Sequence, residues 1–143
     1  MEDDNVKYVI STLISSPYKH IIEKDPYSQD GTGVINTEFG FSLANDGVRQ
    51  AAYVHVSFRN SVIEENLDST PTSTLGHELM HAFDFDQGNY KGMISNKFRG
   101  VNPMEIRAVY FENLIRRKKN LPIRKTYGGL RISPKEYERV KIQ

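Results

Sequence analysis

The chain has 143 residues and a formal net charge of +1, because 19 basic side chains face 18 acidic ones, and it contains no cysteine. This length suits a single domain over residues 1–143 with a real hydrophobic core, and the balanced charge argues against a nucleic-acid or membrane surface. The absence of cysteine excludes disulfides, thiolate metal sites and a thiol nucleophile.

The start of the chain predicts no Sec signal peptide, because residues 1–5 are acidic and no basic segment with an apolar core follows them. No apolar run approaches the ~20 residues that a membrane helix needs. We therefore expect a soluble chain that is either cytoplasmic or exported by a route that leaves no such signal.

The first predicted element is a helix near the N-terminus. Asp3 and Asp4 can cap it, and the segment 15–17, which contains a proline, would end it. Residues 18–24 then predict a short strand or an extended lead, and residues 25–33 a turn-rich loop. The apolar face of the helix would consist of Val6, Val9, Ile10, Leu13 and Ile14.

Two strands are predicted next, at 34–37 and, more strongly, at 51–57. A turn signal at 45–47 introduces the second of them. His55 lies off the apolar face of that strand, and His20 lies in the extended lead. We therefore expect both to be ordinary hydrogen-bonded histidines and not metal ligands.

The most informative stretch is His-Glu-x-x-His at 77–81, on a helix that a Thr-Pro pair at 70–71 can begin. Residues four apart share one helix face, so His77 and His81 can aim their imidazoles at one ion. Two imidazoles suit zinc, and a catalytic zinc needs a third protein ligand and an open position for water. Glu78 would act on that water as general base. The alternative, a chance match on an ordinary helix, is disfavoured by the helical context and the apolar flank.

A second strong helix is predicted from residue 102 to about 119, and its basic end at 116–120 is expected to be solvated. Glu105, in its first turn, is our choice of third ligand, because a separate helix supplies the acid in a His₂Glu site. The alternative for Glu105 is a plain carboxylate at a helix N-terminus. Asp84 competes, but three ligands on one straight helix rarely converge, so a hydrogen-bonding role beside the site suits it better. Glu112 is the less favoured acid.

After this helix the sequence predicts a loop at 121–129 and then a short tail helix that a capping box at 133–136 begins. Peptide hydrolysis needs a donor to the developing oxyanion besides the metal. Loop residues can swing toward a reacting carbonyl, so the candidates are Tyr127, Arg124 and Tyr90, in that order.

Part of this pattern resembles a known family. It consists of residues 77–82, of Glu105-Ile106-Arg107-Ala108 with Glu112-Asn113 and Arg116, and of Pro122, Arg124 and Tyr127. Over about residues 50–130 it resembles the NleD-like effector metallopeptidases, zincin-type domains that bacteria deliver into host cells, and it is also similar to metallopeptidase toxin domains used between bacteria. The resemblance implies a compact zincin fold and endopeptidase activity on a protein substrate. It also implies roles for six residues: His77, His81 and Glu105 as ligands, Glu78 as base, and Arg124 or Tyr127 facing the site.

We therefore predict an α+β, zincin-like metallopeptidase in which a small, twisted, mainly antiparallel sheet lies beside the active-site helix and the helix that carries Glu105. The strand at 51–57 would be the sheet edge to which an extended substrate adds. The predicted function is a monomeric, Zn²⁺-dependent endopeptidase, secreted without a Sec signal as a bacterial effector or toxin and acting in a target-cell cytoplasm.

Two other functions remain open at this point. An intracellular metal-dependent hydrolase of non-peptide amides would be favoured by a deep, closed pocket. A non-catalytic binding protein of zincin shape would be favoured by a broken set of site residues, and in this sequence the set is intact.

Overall fold

A computed structural model describes residues 2–24, 34–35, 43–56, 61–64, 67–93, 100–140 and 142. Helices and short strands mix along this part of the chain, in agreement with an α+β class, and none of its helices is both long and apolar enough to cross a bilayer. The elements are α1 (Glu2–Ser15), β1 (Ile21–Lys24), β2 (Val34–Ile35), β3 (Tyr53–Val56), β4 (Ser61–Glu64), β5 (Leu67–Ser69), α2 (Pro71–Gln87), α3 (Pro103–Lys118), β6 (Thr126–Tyr127), β7 (Leu130–Arg131) and α4 (Pro134–Arg139).

The described strands form three small sheets, and three of their four pairings are antiparallel. In the largest sheet β3 lies in the middle, parallel to β1 on one side and antiparallel to β2 on the other. The prediction that residues 51–57 form a free sheet edge is therefore wrong. Alternation along a strand shows which face is buried, but it carries no information about which strands lie beside it.

The burial of β3 follows the predicted alternation. Val54 and Val56 are buried against a cluster that includes Ala82 and Phe85 of α2, whereas Tyr53 is exposed. This packing fixes the sheet against one face of α2. The predicted loop at 25–33, and the predicted strand residues 36, 37 and 57, lie outside the described residues.

Helix α1 ends where the sequence predicts it, but it begins earlier, so the predicted caps Asp3 and Asp4 lie inside its first turn. Its buried stripe is also narrower than predicted. Val6, Val9 and Leu13 pack against α2 and α3, whereas Ile14 is 80% exposed. Val6, Val9 and Leu13 occupy positions i, i+3 and i+7 of α1, and these three side chains fill its contact with the other two helices. Ile14 lies on the adjacent stripe of the helix surface and stays in solvent.

Helices α2 and α3 begin through the predicted signals. Thr70 caps α2 in a capping box with Ser73, and the side chain of Asn102 accepts a hydrogen bond from the backbone of Met104 at the start of α3. A proline occupies the first turn of each helix, and Gly88 ends α2 with a φ of 72°. These local signals fix the first residue of each helix to within one position. The position of the first residue in turn determines the direction in which the candidate ligands of each helix point.

The two helices run antiparallel, since Glu105 of α3 lies beside His81 and Ile115 lies beside Gly76, near the start of α2. Apolar side chains of both fill the space between them. This packing cluster contains Met80, Phe83, Ala108, Phe111 and Leu114.

The predicted loop at 121–129 contains a strand. Residues 126–127 pair with residues 130–131 in a tight hairpin, whose two turn residues Gly128 and Gly129 have φ values of 55° and 79°. Positive φ at both central positions suits a two-residue hairpin turn, and glycine adopts it at no steric cost.

The tail helix α4 follows the hairpin and begins with the predicted capping box at Ser133. Val140 at its end joins a buried cluster with Ile106 and Val109 of α3, and its carbonyl accepts a hydrogen bond from Arg107 Nη1 at 3.3 Å. The Tyr137 hydroxyl donates to the carbonyl of Arg124 at 3.2 Å. The tail therefore contacts both α3 and the segment before β6.

A buried carboxylate near the end of α2 anchors the N-terminal elements. Asp86 is fully buried and accepts hydrogen bonds from Ser16 after α1, from His20 at 2.9 Å and from Arg49 at 3.1 Å. His20 also accepts the backbone N–H of Ala52 just before β3, at 3.2 Å. His20 is thus a hydrogen-bonded histidine, as predicted, but it has a structural role that the sequence did not reveal.

We predict that Asp86→Asn lowers the free energy of unfolding at pH 7 by about 2 kcal/mol, because the amide loses the charge that pairs with Arg49 and one of the two oxygens that accept hydrogen bonds. Burial opposes the ionised form, but the hydrogen bonds from Ser16, His20 and Arg49 outweigh it and hold the pKa of Asp86 below its usual range. The stabilisation is therefore fully present above pH ~3.9, the pKa of an aspartate in the unfolded chain. It is lost as the pH falls through the lower pKa that Asp86 has in the folded protein.

Urea unfolding of both proteins at several pH values measures this difference. Asp46→Asn, at an exposed aspartate, is the matched control and should cost nothing measurable. An Asp86→Asn protein as stable as the wild type at pH 7 would contradict the anchoring role.

Candidate metal centre

Two histidines of α2 and one glutamate of α3 meet in the structure. One carboxylate oxygen of Glu105 lies 3.1 Å from His77 Nε2 and 3.2 Å from His81 Nε2. One nitrogen or oxygen atom from each of the three residues lies within 4.8 Å of the others. The three side chains form a group that could hold a metal ion, with the membership that the sequence predicts.

The local sequence explains this convergence. The i, i+4 spacing puts both imidazoles on one face of α2, and the ring centroids lie 5.0 Å apart. Both histidines are buried, whereas the Glu105 side chain is 26% exposed. The cluster is thus closed on the side of α2 and open to solvent at the first turn of α3.

Glu112 fixes the orientation of His77 from behind. Its carboxylate lies 3.1 Å from His77 Nδ1, and because a carboxylate only accepts, Nδ1 carries the proton and donates. The same carboxylate accepts from Arg116 Nε at 2.7 Å and from Arg124 Nη1 at 3.1 Å. This arrangement leaves His77 Nε2 as the nitrogen that is able to bind a metal.

The prediction that the whole basic end of α3 is solvated is wrong at Arg116. Its side chain is fully buried and also donates to the backbone carbonyls of Asp68, at 2.9 Å, and Pro122, at 3.2 Å. The next three residues, 117–119, are exposed as predicted. The i, i+4 spacing of Glu112 and Arg116 was the available signal, because such a pair stands side by side on one helix face.

Tyr90 has a similar position behind the second histidine. Its hydroxyl hydrogen-bonds His81 Nδ1 at 2.6 Å, and its ring stacks on Phe85 with centroids 4.3 Å apart. The hydroxyl thus contacts the nitrogen that does not face Glu105. No sequence signal indicated this contact, because it depends on the path of the chain after Gly88.

Asp84 lies outside the cluster, although it shares a helix face with His81. Its fully buried carboxylate accepts hydrogen bonds from Arg107 Nε and Nη2, the closer at 2.8 Å, and from the side-chain amide of Asn89 at 2.9 Å. The hydrogen-bonding role predicted for Asp84 is present, but its partners are an arginine of α3 and an amide, not a histidine. Asp84 therefore joins α2 to α3.

Tyr127 is the loop candidate that touches the cluster directly. Its ring lies parallel to that of His77, with a 4° interplanar angle and centroids 5.8 Å apart. Arg124 lies one step further back: its guanidinium carbon is 5.0 Å from the Tyr127 ring centroid, and Nη1 donates to Glu112. The two candidates thus occupy different layers, Tyr127 against a histidine of the cluster and Arg124 behind it.

Electrostatics in the centre follow from burial and pairing. Burial disfavours the charged imidazole, but hydrogen bonds to Glu105 and Glu112 outweigh it and raise the pKa of His77 to about 9. Burial likewise opposes the ionised form of Glu112, yet His77 and Arg124 lower its pKa to about 2. Burial and the charge of Glu105 raise the pKa of the Tyr127 hydroxyl, so it remains a hydrogen-bond donor at neutral pH.

Glu78 is buried directly beside the first histidine. The charge of its carboxylate contributes to raising the pKa of His77, of Tyr90 and of Tyr127. Its charge therefore acts on one histidine of the cluster and on the two tyrosines beside the cluster.

Comparison of the chain with protein-family models, with curated proteins and with solved structures finds no match.

We predict that Glu105→Gln weakens metal binding far more than Asp84→Asn. Removing one of three protein ligands should lower the metal affinity by more than about 10–100-fold. That range is typical when the group removed is hydrogen-bonded to a ligand and does not itself bind the metal. Competition between the protein and a chelator for Zn²⁺ gives both affinities, with His81→Ala as the reference for a lost ligand.

The two amide substitutions are nearly isosteric with the acids, so the comparison is matched. A larger loss in Asp84→Asn than in Glu105→Gln would reverse the assignment of the third ligand.

Proposed function

We propose that this chain is a zinc-dependent endopeptidase of zincin type. The observation that carries the proposal is the meeting of His77, His81 and Glu105 directly beside a buried Glu78. Histidine pairs with one carboxylate are the ligand set of several zinc proteases, and an adjacent acid is their general base.

Zinc is the metal that we propose, on the chemistry and spacing of the donors. Ligand atoms at ~2.0–2.1 Å from a tetrahedral ion lie roughly 3.3 Å from one another. The Glu105 oxygen lies 3.1 and 3.2 Å from the two imidazole nitrogens, which is close to this spacing. When bound, zinc would make an attacking water more acidic and would polarise the scissile carbonyl.

Glu78 is the proposed general base. It takes the proton from the water that attacks the scissile carbonyl and passes it to the leaving amine when the C–N bond breaks. Its place directly after His77 in the chain and the effect of its charge on the pKa of His77 and Tyr127 support this role.

Tyr127 is the proposed donor to the oxyanion. Its ring lies parallel to that of His77, and its hydroxyl, which burial and the nearby charge of Glu105 keep protonated at neutral pH, lies beside Glu105. A turn of this hydroxyl from Glu105 toward the carbonyl oxygen would add a contact that is stronger in the transition state than in the ground state.

Arg124 and Tyr90, the other two candidates for that donor, have different partners here. Arg124 donates to Glu112, which orients His77, and Tyr90 hydrogen-bonds His81. We therefore favour a positioning role for both and retain Tyr127 as the donor.

The biological setting is proposed on the resemblance alone. The residues quoted above resemble those of NleD-like effectors and of bacterial metallopeptidase toxins, which act on proteins in a target cell. A protein substrate also suits a cluster that is open to solvent at Glu105, whereas a small amide would suit a closed pocket. A binding protein without activity would not need the buried Glu78.

We predict that Glu78→Gln keeps zinc and the fold but abolishes peptide hydrolysis. The amide has nearly the shape of the acid but accepts no proton, and loss of a general base costs ~10²–10⁴-fold in rate. Cleavage of an unstructured protein such as casein by the zinc-loaded chain measures it, with the exposed Glu138→Gln as control. Cleavage by Glu78→Gln at the wild-type rate would remove Glu78 from the mechanism.

We predict that Tyr127→Phe lowers kcat by about 10-fold or more, with zinc content and melting temperature unchanged. The substitution removes the hydroxyl and keeps the ring that stacks on His77. Tyr8→Phe on α1, at a tyrosine that is 38% exposed, is the matched control. A kcat within about twofold of wild type would leave Tyr127 a packing residue and make Arg124 the leading donor.

A further inference from the structure

The hairpin of β6 and β7 presents a second residue beside Tyr127. Tyr127 and Leu130 are direct partners across the two strands, joined by the turn at Gly128 and Gly129. Side chains of directly opposite residues lie on the same face of a strand pair, about 4.5–5.5 Å apart at Cβ. Leu130 therefore shares the face that Tyr127 turns toward the metal cluster.

A second residue fixes the direction of this face. Ile132 lies two positions after Leu130, so it points to the same side, and its N–H continues the pairing to the carbonyl of Lys125 at 2.9 Å. Ile132 is buried with Ile106 and Val109 of α3, and Tyr127 packs against the same cluster. The face that carries Leu130 is thus the inner face of the hairpin, directed at the N-terminal half of α3.

Leu130 differs from Tyr127 and Ile132, which are partly or fully buried, in being 50% exposed. It stands at the tip, one position beyond the two turn glycines. Half of a large apolar side chain thus remains in water beside a residue that stacks on a metal-cluster histidine. An apolar group that enters the cluster from solvent can cover that half and be stabilised by the burial.

We propose that Leu130 forms one wall of an apolar subsite next to the metal cluster, and that the substrate carries a large apolar side chain adjoining the bond that is cleaved. The proposal rests on the endopeptidase function proposed above and adds the substrate class to it. The tight glycine turn holds the wall at a fixed distance from Tyr127, so the subsite selects by the size and polarity of one side chain.

The test uses binding to the zinc-loaded full chain, so it does not depend on turnover. The probes are two dipeptide hydroxamates that differ only in the side chain next to the chelating group, isobutyl in one and hydroxymethyl in the other. Calorimetric titration of the wild type should give about 10-fold tighter binding of the isobutyl probe. Leu130→Asn should reduce the ratio to within about twofold, and Leu130→Met, which keeps an apolar side chain of similar volume, should retain it.

Two controls distinguish a specific effect at Leu130 from a general effect of removing an exposed apolar side chain. Ile14→Asn removes an exposed apolar side chain of α1 and should leave the ratio unchanged. Zinc content and melting temperature should be the same in all variants, since Leu130 belongs to no described packing cluster.

The failures of the two proposals give different results. Equal binding of both probes by a wild-type protein that holds zinc would overturn the subsite and leave the metal centre standing. A tenfold preference that survives in Leu130→Asn would likewise overturn the role of Leu130. A wild-type protein that takes up no zinc would overturn the proposed function and this inference together.

Discussion

The buried carboxylate of Glu112 is the group on which the candidate metal centre depends. It is 1% exposed and accepts hydrogen bonds from His77, Arg116 and Arg124, so its charge is shared among three donors from α2, α3 and the segment before β6. A buried ion pair contributes little when complete, but removing one partner leaves an uncompensated charge that costs several kcal/mol. The orientation of His77, the packing of α2 on α3 and the path of the chain into the hairpin therefore depend on one another.

A second buried pair, Asp84 with Arg107, links the same two helices nearer the start of α3. The apolar cluster of α2 and α3 fills the space between the same two helices. A ligand set needs donors held to within a fraction of an ångström, and two bidentate or branched ion pairs restrict sliding and rotation of the helices better than apolar contacts do. The polar groups around the cluster thus supply geometry, while the apolar core supplies most of the stability.

Local rules were enough to predict much of this centre. Capping residues and prolines located α2 and α3, and the i, i+4 spacing together with the first-turn position of Glu105 identified the three clustered residues. Local rules could not predict which segments that are distant in the sequence pack against each other. The central position of β3, the burial of Arg116 and the contacts of Tyr90 and Asp86 all depend on which distant segments meet, and periodicity carries no such information. The hairpin at β6 was missed because its strands are only two residues long.

The tail helix has a consequence for the order in which the protein is made. Tyr137 and Val140 bond to Arg124 and to Arg107, the two arginines that hold Glu112 and Asp84 behind the ligands. A chain that leaves the ribosome from its N-terminus exposes both histidines and Glu105 well before these last partners. The candidate ligands are therefore synthesised before α4, which completes their supports. Until α4 docks, the nascent chain holds these residues without the full set of contacts that keeps them in place.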